Sequence, residues 1–163
     1  MAETIRKRLM SCQIKTMEIK ELSRENYHLI KEMWAKLNRL HGELSNNFKN
    51  HFESFTFEKR MQPLLEKRYL SVFIATDATK HIGYCIVSAE NGTGEIDSIY
   101  IEPEYRKRKI GSTFINRAMD WFNRMGCDSI CIFVADGNDG VLNFYQSFGF
   151  HKYGVVLKNG NAQ

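Results

Sequence analysis

The stretch from Glu95 to Ser112 limits what this chain can fold into more than any other, because it dictates a strand, a turn and a helix in one short span. Apolar Ile96, Ile99 and Ile101 are interleaved with polar Glu95, Asp97 and Ser98, and Pro103 stops the strand. Four cations follow without a break, Arg106, Lys107, Arg108 and Lys109. Gly111 and Ser112 then open a segment with helical spacing. Strand, basic loop, glycine and helix in that order suit an anion, which free backbone N–H groups and the helix dipole would face. A ligand carrying phosphate is the first expectation.

At 163 residues the chain is long enough to bury a core as one domain, 1–163, with 1–15 as a loose N-terminal arm. The net charge of +4 does not by itself argue for nucleic acid, and it matters only where residues 106–109 concentrate it. The basic residues form one short run without interleaved aromatics, so nucleic-acid binding is a weak reading. Cys12, Cys85, Cys127 and Cys131 include no closely spaced pair, and three of them lie in apolar runs, where a buried, reduced thiol is the usual state. That favours a reducing compartment, hence the cytoplasm. No stretch approaches the roughly 20 apolar residues of a membrane span, and the first ten residues lack the apolar core of a signal peptide.

Along the chain, Met17 to Leu22 alternates as a short half-buried strand. Ser23 then opens an amphipathic helix, Arg24 to His41, that ends at Gly42. The aromatic-rich segment Glu43 to Thr56 either packs on the core or lines an acceptor pocket near His41 and His51. A helix from Phe57 to Lys67 carries Pro63. Tyr69 to Thr76 and His81 to Ala89 read as a hairpin, and Asn91-Gly92-Thr93-Gly94 turns the chain into the stretch from Glu95. Ile110, Phe114, Ile115, Ala118, Trp121 and Phe122 trace a buried helix face ending at Gly126. Ser129 to Ala135 reads as a strand covered on both faces, Val141 to Phe148 as a short helix, and Phe150 to Lys158 as a last strand. The result is one α/β (α+β) domain built on a mixed sheet with helices on its faces.

The second half, in this order, resembles the GCN5-related N-acetyltransferases. A strand leads into Arg106 and, five residues on, Gly111. A helix and a strand follow, then Asn138, Tyr145 and the pair Gly149-Phe150. The resemblance covers roughly residues 69–150. It implies a central, mostly antiparallel mixed sheet of about six to seven strands with about four helices. The family's loop usually has glycine where Lys109 stands, and often alanine where Val141 stands; glycine lets backbone approach phosphate closely.

The resemblance also implies acetyl-CoA as co-substrate, an amine acceptor and no metal, with no nucleic acid, no membrane and room for a homodimer. Backbone amides from Lys107 to Ser112, including Arg108, Lys109, Ile110 and Gly111, would take the pyrophosphate, with Arg106 and its neighbours near the ribose phosphate. The pantetheine arm would run beside Ile99, Tyr100 and Ile101, and an N–H near Ile99 would polarise the thioester carbonyl. Asn138 would contact the arm, its other reading being a loop residue or helix N-cap. An alkylammonium must lose a proton before it attacks, and Glu95 and Asp97 share one strand face where either can accept it; their other reading is a solvent-facing or substrate-anchoring acid. Tyr145 stands where the family's general acid protonates the leaving thiolate. The competing reading is a domain of this fold that binds acyl-CoA, or a regulatory partner, without catalysis.

Overall fold

Three consecutive runs rich in β-branched and aromatic residues form the centre of a five-stranded sheet. A computed structural model describes residues 17–159, so the expected arm at 1–15 lies outside the described residues. The strands are β1 (Met17–Glu21), β2 (Tyr69–Asp77), β3 (Lys80–Glu90), β4 (Thr93–Ile101) and β5 (Ser129–Ile132). They lie in sequence order; the first four are antiparallel to their neighbours, and β5 runs parallel to β4. The crossover to β5 is α4 (Ile110–Met125), as a parallel pair requires.

The two sheet faces carry separate apolar clusters. On one, Phe114, Ile115, Ala118 and Phe122 of α4 pack on Phe73, Cys85, Val87 and Ile96. On the other, α1 (Lys31–Leu44) and α3 (Phe57–Glu66) bring Met33, Trp34, Met61 and Leu64 onto Val72, Ile74, Tyr84 and Ile86. A short helix, α2 (Lys49–Ser54), joins α1 to α3, and α5 (Leu142–Gln146) follows β5.

A bulge interrupts the β3–β4 ladder: Ile86 pairs with Ser98 and Val87 with Ile96, so Asp97 is the extra residue. Ile96 and Ile99 thereby face the same cluster although they are three residues apart. The β4–β5 pairing also ends here, with Ile96 opposite Ile132.

Several expectations are corrected. Among the described residues the sheet has five strands rather than six to seven, chiefly because Phe150 to Lys158 forms no strand. After α5 and Gly149, at φ +86°, Tyr153, Val155 and Leu157 alternate like a strand yet lie exposed and pair with no strand among the described residues. β5 is shorter than expected and covered on one face alone; as an edge strand it leaves Ser129 and Cys131 exposed. The first helix is a 3-10 turn, Arg24–Ile30, followed by α1, which runs through Gly42 to Leu44 because Gly42 is buried against Phe52. Pro63 lies inside α3 without ending it.

Candidate active site

Past the bulge, the outer edge of β4 has no strand beside it among the described residues. The N–H of Glu102 donates to the carbonyl of Ile82 on β3 at 2.9 Å. Successive residues of a strand direct their N–H groups to opposite sides, so Tyr100 faces β3 while Ile99 and Ile101 face the gap. The Ile101 carbonyl there accepts from Arg106 Nε at 3.0 Å. The gap opens into a cavity of about 540 Å³. Leu37, Leu40 and His41 of α1 form one wall, and residues 96–101 of β4 another. The segment leaving β5 (132–135) closes it together with Asn138, Val141, Phe144 and Tyr145.

At one end of the cavity lies the basic turn. Lys107 and Lys109 both take left-handed backbone conformations, with φ of +61° and +64°, and α4 begins at Ile110. Left-handed residues at this spacing turn successive N–H groups toward one concavity. The amides of residues 107–112 donate to no acceptor among the described residues. The first turn of α4 adds its dipole. The left-handed conformation explains why glycine suits position 109, since a Cβ there costs on the order of 1–2 kcal/mol. Gly111 serves close packing, because a Cβ on it would lie 3.1 Å from the Phe144 ring.

The four cations divide their tasks. The guanidinium of Arg106 lies 5.8 Å from the Tyr100 ring centre, and that of Arg108 5.0 Å from the Tyr105 ring centre. Arg106, Lys107 and Lys109 border the cavity, and Arg108 does not. No acid pairs with Lys107 or Lys109 among the described residues. Ile110 is buried in the core, so only its backbone can meet a ligand.

The strand acids sit in a charged cluster. Asp97 borders the cavity, but its side chain is 1% exposed. It accepts from Ser88 Oγ at 2.5 Å and lies 3.5 Å from Arg60 and 3.6 Å from Lys67. Burial raises its pKa above the usual carboxylate range; the Ser88 hydrogen bond opposes this and the nearby Glu95 charge adds to it. Glu95 pairs with Lys67 at 3.2 Å and lies outside the cavity lining.

Tyr145, 7% exposed, packs its ring against Phe144 and Phe150, with ring centres 5.2 and 6.3 Å away. Burial pushes the phenol well above its ordinary pKa, so it holds its proton. No described residue hydrogen-bonds the hydroxyl. Asn138 precedes a 3-10 turn, Asp139–Val141, without a side-chain capping bond, and it borders the cavity. Burial lowers the pKa of His41, which favours the neutral imidazole.

The cavity therefore brings together Asp97, Ile99, Tyr100, Ile101, Arg106, Lys107, Lys109, Gly111, Ser112, Asn138 and Tyr145, and leaves Glu95, Arg108 and the Ile110 side chain outside. The aromatic segment packs on α1: Phe55 and Phe57 against Trp34, and Phe52 against His41. None of residues 48–57 lines the cavity. Sequence reading placed His41 near an acceptor pocket but missed Leu37 and Leu40, whose helical spacing is that of ordinary core, and missed Arg60, Lys67 and Ser88 around Asp97. Among the described residues, no group of three or more His, Cys, Asp or Glu side chains is placed to hold a metal ion, and no helix is long and apolar enough to cross a membrane.

Comparison with known proteins identifies the pattern. Residues 27–150 match the sequence model of the acetyltransferase (GNAT) family. A 62-residue stretch is 34% identical to an uncharacterized N-acetyltransferase of Methanocaldococcus jannaschii, covering 38% of this chain and 27% of that relative, well under two thirds of its length. A tetramutant protein of Bacillus halodurans superposes with a TM-score of 0.70 at 17% identity, covering 88% of this chain and 99% of that one. An aminoglycoside acetyltransferase from an uncultured soil metagenomic sample, crystallised with sisomicin, gives 0.63 at 18% identity over 88% and 95%. The aminoglycoside N-acetyltransferase AAC(6')-Iy in complex with CoA gives 0.60 at 19% identity over 88% and 93%. At such identities, these structures establish the shared fold.

Proposed function

Because the chain belongs to the acetyltransferase (GNAT) family, we propose that it transfers the acetyl group of acetyl-CoA to a primary amine by direct attack on the thioester. One observation carries the reading: the unpaired edge of β4 leads straight into six undonated amides at the start of α4. An extended pantetheine arm suits the first, and a pyrophosphate suits the second.

In this reading acetyl-CoA supplies the activated acyl group, and the chain's residues bind, orient and move protons. The amides of residues 107–112 and the ammonium groups of Lys107 and Lys109 hold the pyrophosphate, while Arg106 anchors the turn to Ile101. The N–H of Ile99 or Ile101 faces the carbonyl oxygen of the thioester and offsets the charge that develops there. Asn138 contacts the arm from the opposite side of the gap.

The amine loses its proton to Asp97, directly or through water, because Asp97 is the strand acid that borders the cavity. Glu95 assists by raising the pKa of its neighbour. Tyr145 gives its hydroxyl proton to the sulfur as the C–S bond breaks, and its buried phenol remains protonated until that step. After attack the nitrogen still carries one proton too many; it gives that proton up, directly or through water, to restore the Tyr145 phenol, and ends as an amide while the sulfur ends as a thiol.

The test measures thiol release from acetyl-CoA with a panel of amines and CoA binding by calorimetry. Binding with amine-dependent thiol release supports the reading. Binding without release would favour a non-catalytic acyl-CoA domain, and absence of binding would overturn both.

A further inference from the structure

We propose that the acceptor is a monoamine on an apolar body, an arylalkyl or alkyl amine, selected by the α1 wall of Leu37, Leu40 and His41. The inference rests on the acetyl-transfer reading above and names its substrate class.

Leu37, Leu40 and His41 are spaced i, i+3 and i+4, so they share one face of α1, across the cavity from the open edge of β4. Two contacts hold that face in place. Lys36 Nζ lies 2.6 Å from Oε1 of buried Glu102, just past β4. At the other end of α1, Gly137 packs so tightly that a Cβ on it would lie 2.3 Å from the Leu44 carbonyl oxygen.

Acidic charge on the cavity lining is scarce. The cations bordering it, Arg106, Lys107 and Lys109, belong to the basic turn. Asp97 is the sole carboxylate among the described lining residues, and Ser88, Arg60 and Lys67 already engage it. Burial lowers the pKa of His41, which favours a neutral imidazole. The site thus has one carboxylate to receive one amine's proton and none to face a second ammonium. Placing an unpaired ammonium against Leu37 and Leu40 removes its hydration without a counter-charge, whereas an aryl or alkyl group gains by burial there. A polyamine or aminoglycoside carries several ammonium groups and meets this penalty more than once.

The experiment compares kcat/KM of the full chain with acetyl-CoA and phenethylamine, hexylamine, spermidine or kanamycin. The expected result is a value for phenethylamine or hexylamine at least about tenfold above spermidine and kanamycin. Leu40→Glu, which sets a carboxylate in the wall, is expected to narrow or invert that ratio while CoA affinity is unchanged. Equal or better turnover of spermidine or kanamycin by the unmodified chain overturns the inference but leaves the acetyl-transfer reading standing. Thiol release with none of the four amines, while CoA still binds in calorimetry, overturns this inference, and only absence of release across the wider amine panel overturns the acetyl-transfer reading as well.

Discussion

Lys36 and Glu102 form an ion pair of 2.6 Å in which the carboxylate is almost wholly buried and the ammonium half-exposed. Tyr100 Oη donates to the other carboxylate oxygen at 3.2 Å. Removing the cation leaves a buried charge with one neutral partner. Lys36→Met is expected to destabilise the fold by about 2–3 kcal/mol, somewhat under the range for a fully buried pair because Lys36 reaches solvent. Denaturant midpoints at constant slope measure this.

Lys109 holds a left-handed conformation that a side chain resists. Lys109→Gly is expected to raise stability by about 1 kcal/mol, and Lys109→Ala to give none of that gain, since alanine keeps the Cβ. If the ammonium pairs with phosphate, Lys109→Gly also weakens CoA binding at low salt and less so at high salt. Thermal melts and calorimetry at two ionic strengths separate the two effects.

Tyr145→Phe removes the hydroxyl from a ring fixed by Phe144 and Phe150. Turnover is expected to fall about a hundredfold or more, with CoA affinity unchanged. Equal turnover would remove Tyr145 from its assigned role.

Asp97 has a folded-state pKa raised above its ordinary 3.8. The folded chain therefore holds this proton more tightly than the unfolded chain. The associated stability is fully present below pH 3.8 and is lost as pH rises through the folded pKa. Asp97→Asn should remove that loss, so its stability relative to the unmodified chain should improve as pH rises through the same window. Urea unfolding at several pH values reads the difference.

Amide exchange tests the edge of β4. Adding CoA is expected to slow exchange at Ile99 and Ile101, which face the gap, and to change little at Tyr100, which faces β3. Equal protection at all three residues would contradict the register.

Local chemistry was the legible part. The strand, basic turn and helix from Glu95 to Ser112 are set by contiguous residues, and the α4 stripe from Ile110 to Phe122 has one period throughout. The bulge left a trace as well, in the three-residue gap between Ile96 and Ile99. Partners distant in sequence left none: nothing near Asp97 announces Lys67 or Arg60, about thirty to forty residues earlier. Leu37 and Leu40 looked like core because a cavity wall and a core face share helical spacing, whereas His41 was already read beside an acceptor pocket. Phe150 to Lys158 shows the opposite failure, since an alternating pattern makes a strand only where an edge accepts it.

The contact between Gly137 and the Leu44 carbonyl joins the loop after β5 to the end of α1 backbone to backbone, at a position whose φ of +81° also disfavours any other residue. No rotamer change can widen that seam. A lineage that exchanged one acceptor for another would find its tolerated mutations on α1, at Leu37 and Leu40, where a side chain can change without parting the seam. Substrate choice could then drift while the seam stayed fixed.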